Sequence, residues 1–259
     1  MSVIQPGDLV AFADGEGNRV LARAAPAPGA LEKVQGLGVV DLGRLAGTPW
    51  GAEYSFGNKR YRLIPPGTPD LLKGFARKAQ VILPKDASRI VFECGLRAGS
   101  RVVEAGIGSA FLTATLAQTV APTGRVHTFE IREDFAQWGR ANLRIAGLDA
   151  LVDLTVHDIT TGIPVEGADA VILDMPTPWE VVPHARRALR PGGTFCAYSP
   201  QVSQVEATHR ALREAGGFAE VRTLELLERE WDVTERGSRP STQMLGHTAF
   251  LTFARRLGD

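Results

Sequence analysis

The residues best suited to chemistry begin in the stretch "VVEAGIGSAFL", residues 102–112. A short apolar run leads into the turn Gly106-Ile107-Gly108 and then into an apolar helix. Glycines lack a Cβ, so the backbone can turn tightly and a ligand can lie against it. The third glycine of a dinucleotide-binding turn is replaced here by Phe111, and no GK[ST] follows. The turn therefore suits neither a pyrophosphate on a helix N-terminus nor a phosphate-cradling loop. The next apolar run ends in Glu130, about two dozen residues beyond Gly106, where an acid accepts hydrogen bonds from ribose hydroxyls. A third run ends in His157-Asp158, placed to reach an adenine amino group. Ribose and adenine are provided for, but a pyrophosphate is not. S-adenosylmethionine has this make-up, with an amino-acid end that backbone groups of residues 106–110 can hold.

A further carboxylate, Asp174, leaves the apolar run of "ILDMPTPW" (172–179), and two prolines and Trp179 stiffen the loop after it. Such a carboxylate can accept a hydrogen bond from an exocyclic amine and stabilise the positive charge that arrives with a methyl group. Trp179 or a neighbour can stack on a flat base. The plainer role for Asp174 is to cap the next helix.

These residues need a scaffold that gathers strand ends. From Asp86 onward helical and strand patterns alternate. "DASRIVFECGL" reads as a helix with an Asp or Ser N-cap and a closing glycine. "RVVEAG", "RVHTFEI", "VDLTVHD", "ADAVILDMP" and "GGTFCAYSP" read as strands, and 110–120, 133–146, 179–190 and 202–215 as helices. Alternation of this kind predicts a parallel sheet with helices on both faces. "VRTLELLERE" and "HTAFLTFARR" have no helix between them and are expected to form an antiparallel edge pair. The fold class is thus α/β, preceded by a small β-rich domain. In that domain, residues 1–66, short β-like runs alternate with glycine turns such as "DGEGN". Residues 67–85 read as a basic linker opened by "PPGTP", and 86–259 as the catalytic domain.

The 259 residues carry 29 Lys and Arg against 29 Asp and Glu. This zero balance lacks the overall basic excess common among nucleic-acid binders. Between Asn58 and Lys85, however, Lys59, Arg60, Arg62, Lys73, Arg77, Lys78 and Lys85 face one acid, Asp70. That stretch is a candidate phosphate-contacting patch, the alternative being a solvated linker face. Hydrophobic content is 44%, which suits a sizeable core, and no apolar run approaches the ~20 residues of a membrane span. "MSVIQPGDLVAF" lacks a basic region followed by an apolar one, so no secretion signal is expected. Cys94 and Cys196 lie far apart in sequence and read as buried thiols in a reducing cytoplasm. Five scattered histidines give no metal-ligand spacing, and no metal is expected.

Taken together, "RKAQVILPKDAS" (77–88), "VVEAGIGSAFLT" (102–113), "FE" (129–130), "AVILDMPTPW" (170–179) and "RPSTQMLGHTAFL" (239–251) resemble the tRNA (adenine-N1)-methyltransferase family that modifies the T-loop adenine at position fifty-eight. "VVDLGRLAGTPWG" (39–51) extends the resemblance into the N-terminal domain. The resemblance implies a Rossmann-like class I methyltransferase sheet with an antiparallel last strand, a cytoplasmic homotetramer, and tRNA as partner. It implies S-adenosylmethionine held by Glu104, Gly106, Gly108, Ser109, Ala110, Phe111 and Leu112, with Glu130 on the ribose and Asp158 near the adenine. Asp174 then serves both cofactor and target base, as the catalytic residue. Leu83, Trp179, Arg236, Arg239, Thr242 and His247 fall on the substrate side. Three segments depart from the family pattern. Leu83 stands where the family has Tyr before "PKD", "GIGSA" replaces GTGSG, and Thr242 replaces a His. Two other readings keep the fold: a non-catalytic RNA-binding paralogue, and a methyltransferase for a different substrate.

Overall fold

The computed structural model describes residues 2–78 and 80–258. The N-terminal strands are β1 (Leu9–Ala13), β2 (Arg19–Arg23), β3 (Leu31–Val34), β4 (Gly38–Asp41), β5 (Glu53–Phe56) and β6 (Lys59–Ile64). Four of them form an antiparallel sheet in the order β2-β1-β6-β5, and β3 and β4 pair as a separate hairpin. Strand alternation sorts the side chains. Val10 and Phe12 of β1 enter a core with Ile4, Val40, Leu45 and Leu63, and Tyr54 and Tyr61 meet Phe12 edge-on. Ala11 points the other way, into the core of the larger sheet.

The linker is not a free tether. Helix α1 (Thr68–Gly74) begins straight after the proline pair and buries Leu71 and Leu72. The chain then runs to α2 (Pro84–Glu93), which starts two residues earlier than the sequence suggests. Its N-cap is Leu83 and Pro84 takes the first helical position, where a fixed φ and a missing N–H cost nothing. Asp86 does not cap the helix. Its carboxylate is drawn into a buried network with Lys85 and Thr248.

The larger sheet is built from β7 (Arg101–Ala105), α3 (Phe111–Val120), β8 (Arg125–Glu130), α4 (Glu133–Ala146), β9 (Val152–Val156), β10 (Ala168–Leu173), α5 (Pro178–Ala188), β11 (Leu189–Ser199), α6 (Val202–Ala215), β12 (Phe218–Glu225), a hairpin of β13 (Trp231–Thr234) and β14 (Gly237–Pro240), and β15 (Phe250–Arg256). Its order is β12-β15-β11-β10-β7-β8-β9. The strands from β7 to β11 are parallel, and β15 is antiparallel to both β11 and β12. The expected antiparallel pair therefore forms, but β15 lies inside the sheet and only β12 is at the edge. The β13–β14 hairpin between them was not anticipated; its residues are nearly all exposed. Val102 of β7 faces a core with Ile90 and Leu116, while Val103 and Ala105 face a second core with Phe129 and Val181. Helices thus cover both faces, as a parallel sheet requires.

Several of the charges in and around the linker already have partners. Lys85 is buried on Asp86, Lys78 pairs with Asp134 at 2.6 Å, and Arg62 reaches Glu53 at 3.5 Å. Lys73 donates to the Gly17 carbonyl. Four of the seven bases in the stretch, Arg62, Lys73, Lys78 and Lys85, thus have partners within the chain.

Candidate active site

In a doubly wound sheet the ligand crevice lies beyond the carboxyl ends of the strands. Here β7, β8, β9 and β10 end together, around a cavity of about 710 Å³. Its walls include Gly106 and Gly108 after β7, Glu130 at the end of β8, Asp158 just after β9, and Asp174 just after β10. A cavity of that size suits a cofactor-sized ligand. Its back wall carries Phe129, whose ring meets His157 edge-on at 5.7 Å.

Gly106 is held by two strands at once. Its N–H donates to the Phe129 carbonyl at 2.9 Å, and the Asp174 N–H donates to the neighbouring Ala105 carbonyl at 3.0 Å. Its φ of +86° lies in the left-handed region, and a Cβ built there would lie 2.2 Å from the Asp174 carbonyl oxygen. Ile107 fills the notch over Gly139 of α4, where an added Cβ would come within 2.6 Å of its Cδ1. The family departure at 107 is thus accommodated away from the cavity.

Each acid keeps an oxygen for a ligand. Glu130 Oε1 accepts the Arg132 N–H at 3.0 Å, leaving Oε2. Asp158 Oδ1 accepts both the N–H and the hydroxyl of Thr160, at 2.9 and 2.7 Å, which holds its carboxyl below the usual carboxylate range and leaves Oδ2. Burial first, and then the negative charge of Glu130, push the Asp174 carboxyl up to about 7. Asp174 is no helix cap: α5 starts at Pro178 with Thr177 as its N-cap.

Other candidates lie around this cavity rather than in its lining. Glu104 is buried beneath the turn, and Thr113 donates to its Oε2 at 2.8 Å. Burial, opposed by the Thr113 and Thr128 hydroxyls, pushes Glu104 up to about 7. Ser109, Ala110, Phe111 and Leu112 are all buried. The Ser109 hydroxyl accepts the Lys78 N–H, and the Phe111 ring is met by Phe75 edge-on and by the Arg77 guanidinium at 5.1 Å. Ala110 is fully buried, in the same core cluster as Phe111 and Leu112. Ala110 takes φ 61° and ψ 24°, the left-handed conformation in which a glycine is easier.

None of the residues expected on the substrate side lines this cavity: Leu83 and Trp179 are half-buried, while Arg236, Arg239, Thr242 and His247 are exposed. Arg239 pairs with Asp232 across the β13–β14 hairpin at 3.7 Å. His247 presents Nδ1 to Glu225 at 2.7 Å and Nε2 to the Pro200 carbonyl at 2.9 Å. Two acceptors favour the doubly protonated ring, and its pKa is raised, chiefly by Glu225.

The sequence reading missed further residues, among them Arg132, Phe135, Thr160 and Glu180, which line the cavity. Gln80, from the linker, lines the cavity. Tyr198, one residue before the end of β11, has its hydroxyl beside Thr248 and within the field of Asp86 and Asp174. Burial and those charges push it up to about 12, so it remains a donor. The strand-end position of Tyr198 was the available signal, in "GGTFCAYSP". Gln80 had none beyond its place in "RKAQ". Among the described residues no cluster of His, Cys, Asp or Glu is arranged to hold a metal ion, and no described helix is long and apolar enough to cross a membrane.

Comparison with known proteins agrees with this geometry. Residues 62–237 match the family described as tRNA methyltransferase complex GCD14 subunit. The chain is 37% identical to a tRNA (adenine(57)-N(1)/adenine(58)-N(1))-methyltransferase of Methanocaldococcus jannaschii, over 75% of this chain and 78% of that protein. Among solved structures it is similar to the tRNA (m1A58) methyltransferase of Aquifex aeolicus, with TM-score 0.76, 27% identity and full coverage of both chains. It is also similar to a SAM-dependent O-methyltransferase of Thermotoga maritima, with TM-score 0.82 and 29% identity, covering 99% of this chain and 96% of that one.

Proposed function

The chain belongs to the family of the tRNA methyltransferase complex GCD14 subunit, and from that premise we propose that it methylates N1 of adenine 58 in tRNA with S-adenosylmethionine. The observation that carries this reading is the convergence of Glu130, Asp158 and Asp174 on one cavity beside the Gly106–Gly108 turn. The cavity fits the cofactor: two strand-end acids each keep one oxygen open for ribose and adenine. When bound, S-adenosylmethionine supplies an electrophilic methyl group.

The protein's own residues position the reaction. N1 of adenine lies on the pairing edge, so the base must leave its stack to be reached. N1 already has a lone pair, so no strong base is needed. Asp174, ionised, accepts a hydrogen bond from the exocyclic amine and offsets the positive charge the base acquires. The adenine must be held in line, and positioning supplies much of the rate. Trp179, Leu83, Thr242 and His247 are assigned to the target side, and Arg236 and Arg239 to the RNA backbone.

A homotetramer is part of the same reading. It is supported by the β13–β14 hairpin, where Trp231 and Val233 are exposed on a two-stranded sheet, a unit of marginal stability by itself. Cytoplasmic residence is supported by Cys94 and Cys196, both buried free thiols. Calorimetric titration with S-adenosylmethionine, followed by incubation with unmodified tRNA and nucleoside mass analysis, tests the proposal. Binding with 1-methyladenosine formed is expected. Binding without it would favour another substrate, and no binding would favour the partner-subunit reading.

A further inference from the structure

One face of α4 holds the linker through three side chains spaced a turn apart, Asp134, Trp138 and Asn142. The Lys78 ammonium donates to Asp134 Oδ2 at 2.6 Å, and the Trp138 indole N–H donates to the Ala76 carbonyl at 2.9 Å. Asn142 holds Ala76 from both sides. Its amide nitrogen donates to the Ala76 carbonyl at 3.0 Å, and its Oδ1 accepts the Ala76 N–H at 3.3 Å. The same amide nitrogen donates to the Ser109 carbonyl at 3.0 Å, and the Lys78 N–H donates to the Ser109 hydroxyl at 3.0 Å. The linker, the glycine turn and α4 thus meet at Asn142, which is 2% exposed.

A carboxamide is costly to bury unless its hydrogen bonds are made. Here two donors and the acceptor are all used, and the two carbonyls can only accept, so the amide has one orientation. What it fixes is the placement of two walls of one cavity. On one side, Ser109 follows Gly108, which lines the cavity beyond β7. On the other, Gln80 stands two positions past Lys78 and lines the same cavity. Among the described residues, Gln80 is the only one before β7 that does so. The Lys78 ammonium also lies 4.8 Å from the centre of the Phe135 ring, a third part of that lining. Asn142 itself is not part of it, so any effect of Asn142 on a ligand passes through residues that are.

We propose that Asn142 is a positioning residue for S-adenosylmethionine, acting through Gln80. It fastens the linker to the glycine turn and so sets the Gln80 amide against the bound cofactor. This rests on the methyl-transfer reading of the site. The Gln80 amide offers a donor and an acceptor, the two partners that the carboxylate and ammonium of the cofactor's amino-acid end require.

The test is a cycle of wild type, Asn142→Ala, Gln80→Ala and the Asn142→Ala/Gln80→Ala double variant. S-adenosylmethionine affinity is read by calorimetric titration, and melting temperature beside it. A hydrogen bond to a charged group corresponds to about tenfold or more in affinity, so Gln80→Ala is expected to weaken binding about tenfold. Asn142→Ala is expected to weaken it by at least about as much. Made in the Asn142→Ala background, Gln80→Ala costs less than about twofold more, because Gln80 has already lost its place. Wild-type affinity in either single variant overturns the proposal. So do losses that multiply in the double variant. A purely structural Asn142 lowers the melting temperature and leaves the Gln80→Ala loss in full, which also overturns it. Where Asn142→Ala does not fold, Trp138→Phe takes its place in the cycle. It removes a single donor from the same Ala76 carbonyl, is expected to weaken binding about threefold, and is judged by the same outcomes. Wild type that binds no S-adenosylmethionine sinks the methyl-transfer reading and this inference with it, an outcome visible before any variant is made.

Discussion

Gly106 and Asp174, on adjacent parallel strand ends, approach so closely that a Cβ on the first would lie 2.2 Å from the carbonyl oxygen of the second. The glycine turn and the proposed catalytic carboxylate are therefore one structural unit. The turn keeps its φ of +86° at no steric cost, and the backbone of Asp174 packs into the space this leaves. Gly106→Ala cannot keep both. It is expected to lose S-adenosylmethionine binding and at least about 2 kcal/mol of stability. Calorimetric titration and denaturant unfolding measure the two effects.

In the proposed mechanism, Asp174 sets the acid limb of the reaction. Burial pushes its carboxyl up to about 7, and in that mechanism the ionised form stabilises the methylated base. The rate at saturating cofactor should rise with pH and level off above about 7, where Asp174 has lost its proton. Asp174→Ala should cost about a hundredfold or more in kcat, the usual loss for an electrostatic stabiliser, while the cofactor still binds. Asp174→Asn should abolish the limb near pH 7. Single-turnover rates across pH 5.5–8.5, roughly one to two units either side of that pKa, provide the check.

Glu104 makes stability depend on pH. Its folded pKa of about 7 lies above the ordinary 4.5, so the folded state holds the proton more tightly than the unfolded one. That contribution is full below the unfolded value and is lost as pH rises through about 7. Glu104→Gln, neutral throughout, should flatten the fall. Between pH 5 and pH 8 the variant should gain on wild type by up to about 3 kcal/mol. Unfolding by urea at the two pH values measures this.

Ala110 holds a left-handed conformation, φ 61°, at the N-cap of α3. Ala110→Gly removes a strain of about 1–2 kcal/mol, which outweighs the about 0.4–1 kcal/mol lost to the greater freedom of the unfolded chain. The melting temperature should therefore rise by a few degrees at most, with cofactor affinity unchanged because the methyl is buried in the core. A thermal scan and a cofactor titration on the variant check both.

The legible part of the site was the part set by topology. Gly106, Gly108, Glu130, Asp158 and Asp174 each end or follow an apolar run, and a parallel sheet brings such ends to one edge whatever the loops do. The boundaries of α4 and α6 were legible because their apolar spacing and closing glycines are local signals. What escaped depends on distant partners. Asp86 looked like a helix cap until Thr248 claimed it, and nothing local in the linker announces that Lys78 pairs with Asp134. Cys94 and Cys196 read as strays, yet they enter the same core cluster. In the β13–β14 hairpin Trp231 and Val233 alternate with polar residues, but the run is only four residues long and both side chains are exposed, so the signal is weak.

The most direct measurement uses two tRNA transcripts, one carrying adenine at position 58 and one carrying guanine there, each incubated with the protein and S-adenosylmethionine. Nucleoside mass analysis and mapping of the modified site complete it. Methylation of adenine 58 by this protein predicts 1-methyladenosine at position 58 in the first transcript and none there in the second. Cofactor binding with no 1-methyladenosine in the adenine-bearing transcript would contradict it.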